Sequence, residues 1–126
     1  MTTRWGIAAA LALGLAAARY RRRGKPVPLR IRLPLGLADR LMFRQVRERF
    51  GGRIRVAASG AAPLGKDLAE FYEAIGMPLI EGYGLTEGGV VSLNPLERPK
   101  PGSIGKPLPG VDVWLSDDGE ILIKSP

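Results

Sequence analysis

The 126-residue chain contains no cysteine and no histidine. The first absence excludes disulfides, thiolate metal sites and a cysteine nucleophile, and is compatible with a reducing compartment. The second excludes Ser-His-Asp and Cys-His catalysis and histidine-ligated zinc. Aromatic residues are scarce, at 6%. Tyr20 alone is interleaved with the arginine-rich segments, so no nucleic-acid partner is expected. Any catalysis must therefore use carboxylates, hydroxyls, lysines, backbone dipoles or a hard metal. Acidic residues are also scarce in the first half. Residues 1–66 carry 15 Lys/Arg and 2 Asp/Glu, whereas residues 67–126 carry 4 and 10, within a net charge of +7. This asymmetry fits a surface that meets phosphates or anionic lipid, and equally helices whose outer faces are solvated by arginine. Long hydrophobic runs are missing too. Trp5 to Ala18 is apolar, but shorter than the roughly 18–20 residues that span a bilayer. Its strong charge, Arg19 to Arg23, follows the apolar run, the reverse of a secretory signal. The segment reads as a helix packed on protein or lying at a membrane surface.

The length suits one modest domain with a limited core. Trp5 to Arg23 is Ala/Leu-rich and predicts a helix ended by Gly24, with Pro26 and Pro28 preventing continuation. Pro34-Leu35-Gly36 reads as further punctuation. Leu37, Leu41, Val46 and Phe50 then recur at near-helical spacing, with Arg40, Arg44, Arg47 and Glu48 opposite, until Gly51-Gly52. Ile54 to Ala58 predicts a buried strand. Residues 64–75 predict a helix capped by Gly76, and Met77 to Glu81 a second strand. Strand, helix and strand in this order make a βαβ unit and imply a parallel sheet. Gly82 to Gly89 reads as a glycine-rich loop, Val90 to Leu93 as a short strand, and the Pro/Gly-rich stretch Asn94 to Gly110 as loop. Val111 to Leu115 and Glu120 to Ile123 flank Ser116-Asp117-Asp118-Gly119 as an antiparallel hairpin, with Gly119 at positive φ. The expected fold class is α/β: a βαβ parallel-sheet core with flanking helices and a C-terminal hairpin. One partial domain is expected. It comprises a basic helical segment (1–52), the βαβ core (53–94), and a Pro/Gly loop with the hairpin (95–126).

In open α/β sheets ligands bind beyond the carboxyl ends of the strands. Two loops lie at such ends, Ser59-Gly60-Ala61-Ala62-Pro63 and Gly82-Tyr83-Gly84-Leu85-Thr86-Glu87. Small residues let a ligand approach the backbone. An aromatic plane can stack on a base, a threonine hydroxyl can bond a phosphate oxygen, and a carboxylate can hold Mg²⁺. Together these describe a nucleotide-triphosphate site without its main phosphate cradle. A glycine-rich turn with incidental polar residues would share the same spacing.

Tyr83-Gly84-Leu85-Thr86-Glu87 resembles the Tyr-Gly-x-Thr-Glu core motif of the adenylate-forming (AMP-binding) enzymes. Ser59 to Leu64 resembles that family's Ser-Gly-Gly/Ala-Ala-Pro-Leu turn. Gly102 to Gly110 is similar to its Gly-x-Gly-x-Pro-x-Pro-Gly stretch, and Asp118 to Lys124 to its Gly-Glu-Ile/Leu-x-Ile/Val strand. The basic stretch Arg19 to Phe50 resembles the long-chain fatty acyl-CoA synthetase branch. The resemblance covers nearly the whole chain and is weakest over residues 1–18.

The resemblance implies activation of a fatty acid by ATP with Mg²⁺, followed by transfer to coenzyme A. It also implies specific roles. Tyr83 would stack on adenine, while Gly82 and Gly84 would shape the adenine and acyl wall. Thr86 would contact the α-phosphate and the acyl carboxyl, and Glu87 would ligate Mg²⁺. Gly60, Ala61 and Ala62 would line the adenine–acyl junction. Ser59 and Leu85 complete the cofactor-binding set, and Ala61 stands where the family often has glycine. Thr86 and Glu87 are the candidate catalytic residues. A carboxylate substrate is already ionised at neutral pH, so the absence of histidine as a general base is compatible with this chemistry. The sequence contains no Ser/Thr/Gly-rich loop followed by Pro-Lys-Gly, and neither Lys106 nor Lys124 matches the family's catalytic lysine. The chain is accordingly expected to be an interior fragment of a larger adenylate-forming N-terminal domain, inactive alone. A cytoplasmic location is expected, with peripheral membrane contact through the basic half. Other acyl-adenylate-forming enzymes, such as a fatty acyl-AMP ligase, and a non-catalytic membrane-surface module remain alternatives.

Overall fold

The computed structural model describes residues 2–126. Helix α1, Thr2–Arg22, is followed by α2, Leu29–Ala38, a π-helical turn, Asp39–Phe43, and α3, Arg44–Arg49. Strand β1 (Ala57–Ser59), helix α4 (Lys66–Ala74) and strand β2 (Leu79–Leu85) form the βαβ unit. Strands β3 (Gly89–Leu93) and β4 (Lys106–Pro107) follow, then the hairpin β5 (Asp112–Leu115) and β6 (Ile121–Lys124). The four-stranded sheet has the order β1-β2-β3-β4, while β5 and β6 pair separately. Strands β1 and β2 are parallel, with Ser59 opposite Glu81. Strands β2 and β3 are antiparallel, and their register shifts by one residue between Tyr83 and Gly84.

Small residues make α1 a packing helix. Ala17 and Ala18 are fully buried, and a Cβ on Gly14 would lie 2.4 Å from the Ala74 carbonyl oxygen. That close approach seats α1 on α4. Beside it, Ala10, Phe43, Ile75 and Met77 form a core cluster flanked by Leu35, Ala38, Met42 and Val46. Two half-buried ion pairs lock the helices. Arg22 Nε donates to both Glu73 carboxylate oxygens at 3.0 Å. Arg47 donates to both Asp39 oxygens, at 2.6 and 2.9 Å, and to the Ile75 carbonyl at 2.6 Å. The carboxylate hydrogen bonds raise both guanidinium pKa values above normal, against the lowering effect of burial.

Several sequence expectations need correction. Pro34 lies inside α2 rather than between elements. Its ring removes one hydrogen bond, a loss that is tolerated because α2 buries no residue and faces solvent. Leu37, Leu41 and Phe50 are exposed, and the packed side is Leu35, Ala38, Met42, Phe43 and Val46. The π turn widens the helix locally and shifts the inward side away from a regular 3.6-residue repeat. Arg47, expected outside, turns in to Asp39. The first strand begins at Ala57, not Ile54, because its ladder starts at the Pro78 carbonyl, which accepts the Ala57 N–H at 3.0 Å. The Pro/Gly-rich stretch contains one short strand, β4.

The largest correction concerns Gly82 to Gly89. Strand β2 continues through Leu85, and only Thr86 to Gly88 form the turn into β3. A Cβ on Gly84 would lie 2.6 Å from the Gly89 carbonyl oxygen. Glycine here permits close strand approach rather than a flexible loop.

Candidate active site

Parallel pairing of Ser59 with Glu81 brings the ends of β1 and β2 together. The turn Gly60 to Pro63 leaves β1 alongside Gly82, and a Gly60 Cβ would stand 3.6 Å from the Gly82 carbonyl oxygen. Two hollows open around this junction. One, of about 440 Å³, is lined by Ser59 at the end of β1, Gly60 and Ala61 from the turn, Gly82 to Leu85 from β2, and Val90 and Leu93 from β3. The other, of about 510 Å³, lies between Ala61 to Leu64, Glu81 to Leu85, Gly102 and Ile104. Their walls are mainly apolar, and Tyr83 borders both.

The structure thus gathers Ser59, Gly60, Ala61, Ala62, Gly82, Tyr83, Gly84 and Leu85. Thr86 and Glu87 occupy the exposed turn beyond β2 and line neither hollow. No cluster of three potential metal-ligating side chains occurs among the described residues. A single exposed carboxylate at Glu87 fits Mg²⁺ as that ion is commonly held, by one or two carboxylates plus phosphate oxygens. It does not make an all-protein cage.

Three supporting residues were missed from sequence. Glu81 is buried, and its Oε1 accepts the Leu64 N–H at 2.9 Å, tying the turn after β1 to β2. Buried Asn94 holds the proline-rich loop. Its Nδ2 donates to the Ser103 carbonyl, and its Oδ1 accepts the Lys100 N–H at 3.0 Å. Ser92 Oγ donates to the Ile104 carbonyl at 2.8 Å. These bonds hold Gly102 and Ile104 as a wall. The available signal was a carboxylate at the end of an apolar strand and an asparagine at the end of the next. Their partners lie too far along the chain to be read locally. Ala61 adds a conformational feature, since it is the one non-glycine among the described residues with positive φ, at 67°.

Residues 9–126 match the family model described as AMP-binding enzyme. This chain belongs to the AMP-binding enzyme family. Among relatives, it is 45% identical over 87 residues to long-chain-fatty-acid–CoA ligase FadD15 of Mycobacterium bovis, covering 68% of this chain and 14% of that protein. It is 38% identical over 88 residues to long chain acyl-CoA synthetase 3 of Arabidopsis thaliana, covering 68% of this chain and 13% of that one. The AMP-binding chain therefore spans about a seventh of the length of these relatives. Apo MatB from Rhodopseudomonas palustris superposes with a TM-score of 0.51 at 29% identity, over 75% of this chain and 21% of that structure. The α/β reading of this AMP-binding segment thus agrees with a solved structure.

Proposed function

We propose that the chain supplies one wall of the carboxylate-activating site of a long-chain fatty acid–CoA ligase, within a larger adenylate-forming domain. The supporting observation is the convergence of the Ser59–Pro63 turn and the Gly82–Leu85 strand on two mainly apolar hollows that share Tyr83. In this reading Tyr83 presents its ring to adenine. The bare backbone of Gly60 lets nucleotide and acyl group approach, with Ser59, Ala61, Ala62, Gly82, Gly84 and Leu85 completing the walls. Thr86 contacts the α-phosphate and the acyl carboxyl through its hydroxyl, which donates to one of them at a time.

The fatty acid carboxylate attacks the α-phosphorus of ATP, forming acyl-adenylate and releasing pyrophosphate. The thiol of coenzyme A then displaces AMP. Mg²⁺, held by Glu87 and phosphate oxygens, would supply charge neutralisation. Since fatty acids partition into bilayers, a cytoplasmic enzyme in peripheral contact with the membrane through its basic half belongs to the same reading.

The 126-residue chain alone lacks a Pro-Lys-Gly phosphate loop. Given ATP, Mg²⁺, fatty acid and coenzyme A, it is expected to show no turnover above blank. The decisive substitution is Glu87→Gln in the full-length enzyme. Adenylation should fall by about a hundredfold or more, as for loss of an electrostatic contact to the reacting group. Thioester formation from preformed acyl-adenylate should change little, since pyrophosphate has already left. Equal losses in both half-reactions, with a lowered melting temperature, would show that Glu87 only braces the turn.

A further inference from the structure

We propose that Asn94 is a positioning residue for the nucleotide: its side chain clamps the proline-rich loop so that Gly102 and Ile104 form the wall against which the base of ATP is held. This role rests on the carboxylate-activating function proposed above and deepens it. Pro95, Pro99 and Pro101 interrupt the loop that leaves β3, and each removes a backbone donor. The loop rejoins the sheet at Lys106, opposite Leu93. Between those points one buried side chain supplies bonds from inside. Asn94 is 4% exposed. Its Nδ2 donates to the Ser103 carbonyl, and its Oδ1 accepts the Lys100 N–H at 3.0 Å. Its own backbone N–H donates to the Glu81 carbonyl at 3.1 Å, which fixes Asn94 beside β2. Two separate side-chain atoms must donate and accept at once. Among short side chains an amide does this, whereas an ionised carboxylate, a hydroxyl or an apolar group does not. These contacts lie wholly within the segment and are already shielded, so they stand whatever further chain surrounds it.

The chemistry of the hollow identifies what the wall holds. Gly102 and Ile104 border the hollow of about 510 Å³, together with Tyr83 and Glu81, and do not border the other. A base offers a flat face to the Tyr83 ring and polar edges that a carboxylate can meet. A long acyl chain gains nothing from Glu81 and would strip water from its carboxylate. The hollow of about 440 Å³ has no charged residue and is bordered by Val90 and Leu93, so it suits the acyl chain better. Asn94 therefore acts on the nucleotide through the loop, without touching it.

The test uses the full-length enzyme and follows fatty-acid-dependent pyrophosphate release. In Asn94→Ala the KM for ATP should rise about tenfold, with the fatty acid KM within about twofold of native and kcat little changed, since the wall binds ground and transition states alike. A residue that merely stabilises the fold would instead lower the active fraction, so that kcat falls and neither KM moves. Asn94→Asp separates bonding from size. At about pH 8 its carboxylate would face the Ser103 carbonyl oxygen, and the KM for ATP should rise at least as much. Burial favours the protonated carboxyl, whose O–H restores the donor while the other oxygen keeps the acceptor. Lowering the pH to about 6 should bring the variant-to-native KM ratio down about threefold or more in Asn94→Asp and leave it constant in Asn94→Ala. Where Asn94→Ala does not fold, Ile104→Ala decides, because it trims the wall and leaves the clamp. Its KM for ATP should rise about threefold with the fatty acid KM unmoved. An unmoved KM for ATP in the folded Asn94→Ala enzyme or in Ile104→Ala, equal rises in both KM values, or an Asn94→Asp ratio indifferent to pH would each overturn the proposal. Absence of fatty-acid-dependent pyrophosphate release from the native enzyme would overturn the carboxylate-activating function itself, and this role with it.

Discussion

Small residues serve opposite ends in two regions of this molecule. In the seam between α1 and α4, Gly14, Ala17 and Ala18 let two helices touch, leaving no space for a further methyl at Gly14. At the ends of β1 and β2, Gly60, Ala61, Ala62, Gly82 and Gly84 border open hollows. Composition alone does not separate these uses; what faces the small residue does. In the seam an opposing helix fills the vacated space. At the strand ends β3 fills the space facing Gly82 and Gly84, and the hollows open beside Gly60, Ala61 and Ala62, where the proline-rich loop is held off by its own hydrogen bonds. The site half nevertheless has one contact tighter than the seam. Gly105 has φ of 83°, and an added Cβ would lie 2.2 Å from the Leu93 carbonyl carbon and 2.3 Å from Asn94 N.

The sharpest challenge to this contrast is Gly105→Ala. A left-handed non-glycine residue and an overpacked backbone contact each cost about 1–3 kcal/mol. A loss of about 3 kcal/mol or more in urea unfolding is therefore expected. A change below about 1 kcal/mol would mean that this loop does not abut β3. Next in size is a reversal of sign within α1. Alanine exceeds glycine in helix propensity by about 1 kcal/mol. Gly6→Ala, with nothing within 4 Å of the added methyl, should realise part of that gain. Gly14→Ala must drive its methyl into the Ala74 carbonyl and should destabilise by about 1–2 kcal/mol net. If both substitutions stabilise, the seam is not closed.

Much of the fold was legible because each signal was local. The apolar strand patterns, the intervening amphipathic helix and the capping Gly76 specify the βαβ unit. The turn at Gly119, with φ of 83°, specifies the last hairpin. The two strand-end loops were legible as neighbours for the same reason, since a parallel βαβ unit places both at one sheet end. What could not be read depends on distant partners. Gly82 and Gly84 read as loop because the closeness of β3 is not visible locally. Leu37 and Leu41 read as one apolar side with Val46 because a π turn that interrupts the helical period is not visible locally. Arg47 looked like a surface charge because its Ile75 partner lies 28 residues away.

Glu81 belongs to the same illegible class and gives the next prediction. Its carboxylate is the acceptor for the Leu64 N–H, 17 residues earlier. Glu81→Ala leaves that N–H without this partner and opens space beside the hollow, which should cost about 1–3 kcal/mol. Glu81→Gln keeps an acceptor oxygen and should recover more than half of the loss. Should the two variants unfold alike at matched pH, the tie between turn and strand depends on charge rather than on an acceptor.

The smallest effect tests the open region most directly, because it asks whether the turn is held in a strained shape. Ala61 has φ of 67°, in the left-handed region. For an L-residue this costs about 1–2 kcal/mol. Glycine removes that cost but frees the unfolded chain, which returns about 0.5–1 kcal/mol. Ala61→Gly should therefore stabilise by about 0.5 kcal/mol, seen as a higher urea midpoint with an unchanged slope. The neighbouring Ala62 has no positive φ, so Ala62→Gly should instead destabilise by about 0.5–1 kcal/mol. Opposite signs at adjacent alanines would place the strain at Ala61. Destabilisation at both would show that Ala61 is relaxed and that the turn beside Gly82 does not need the left-handed residue.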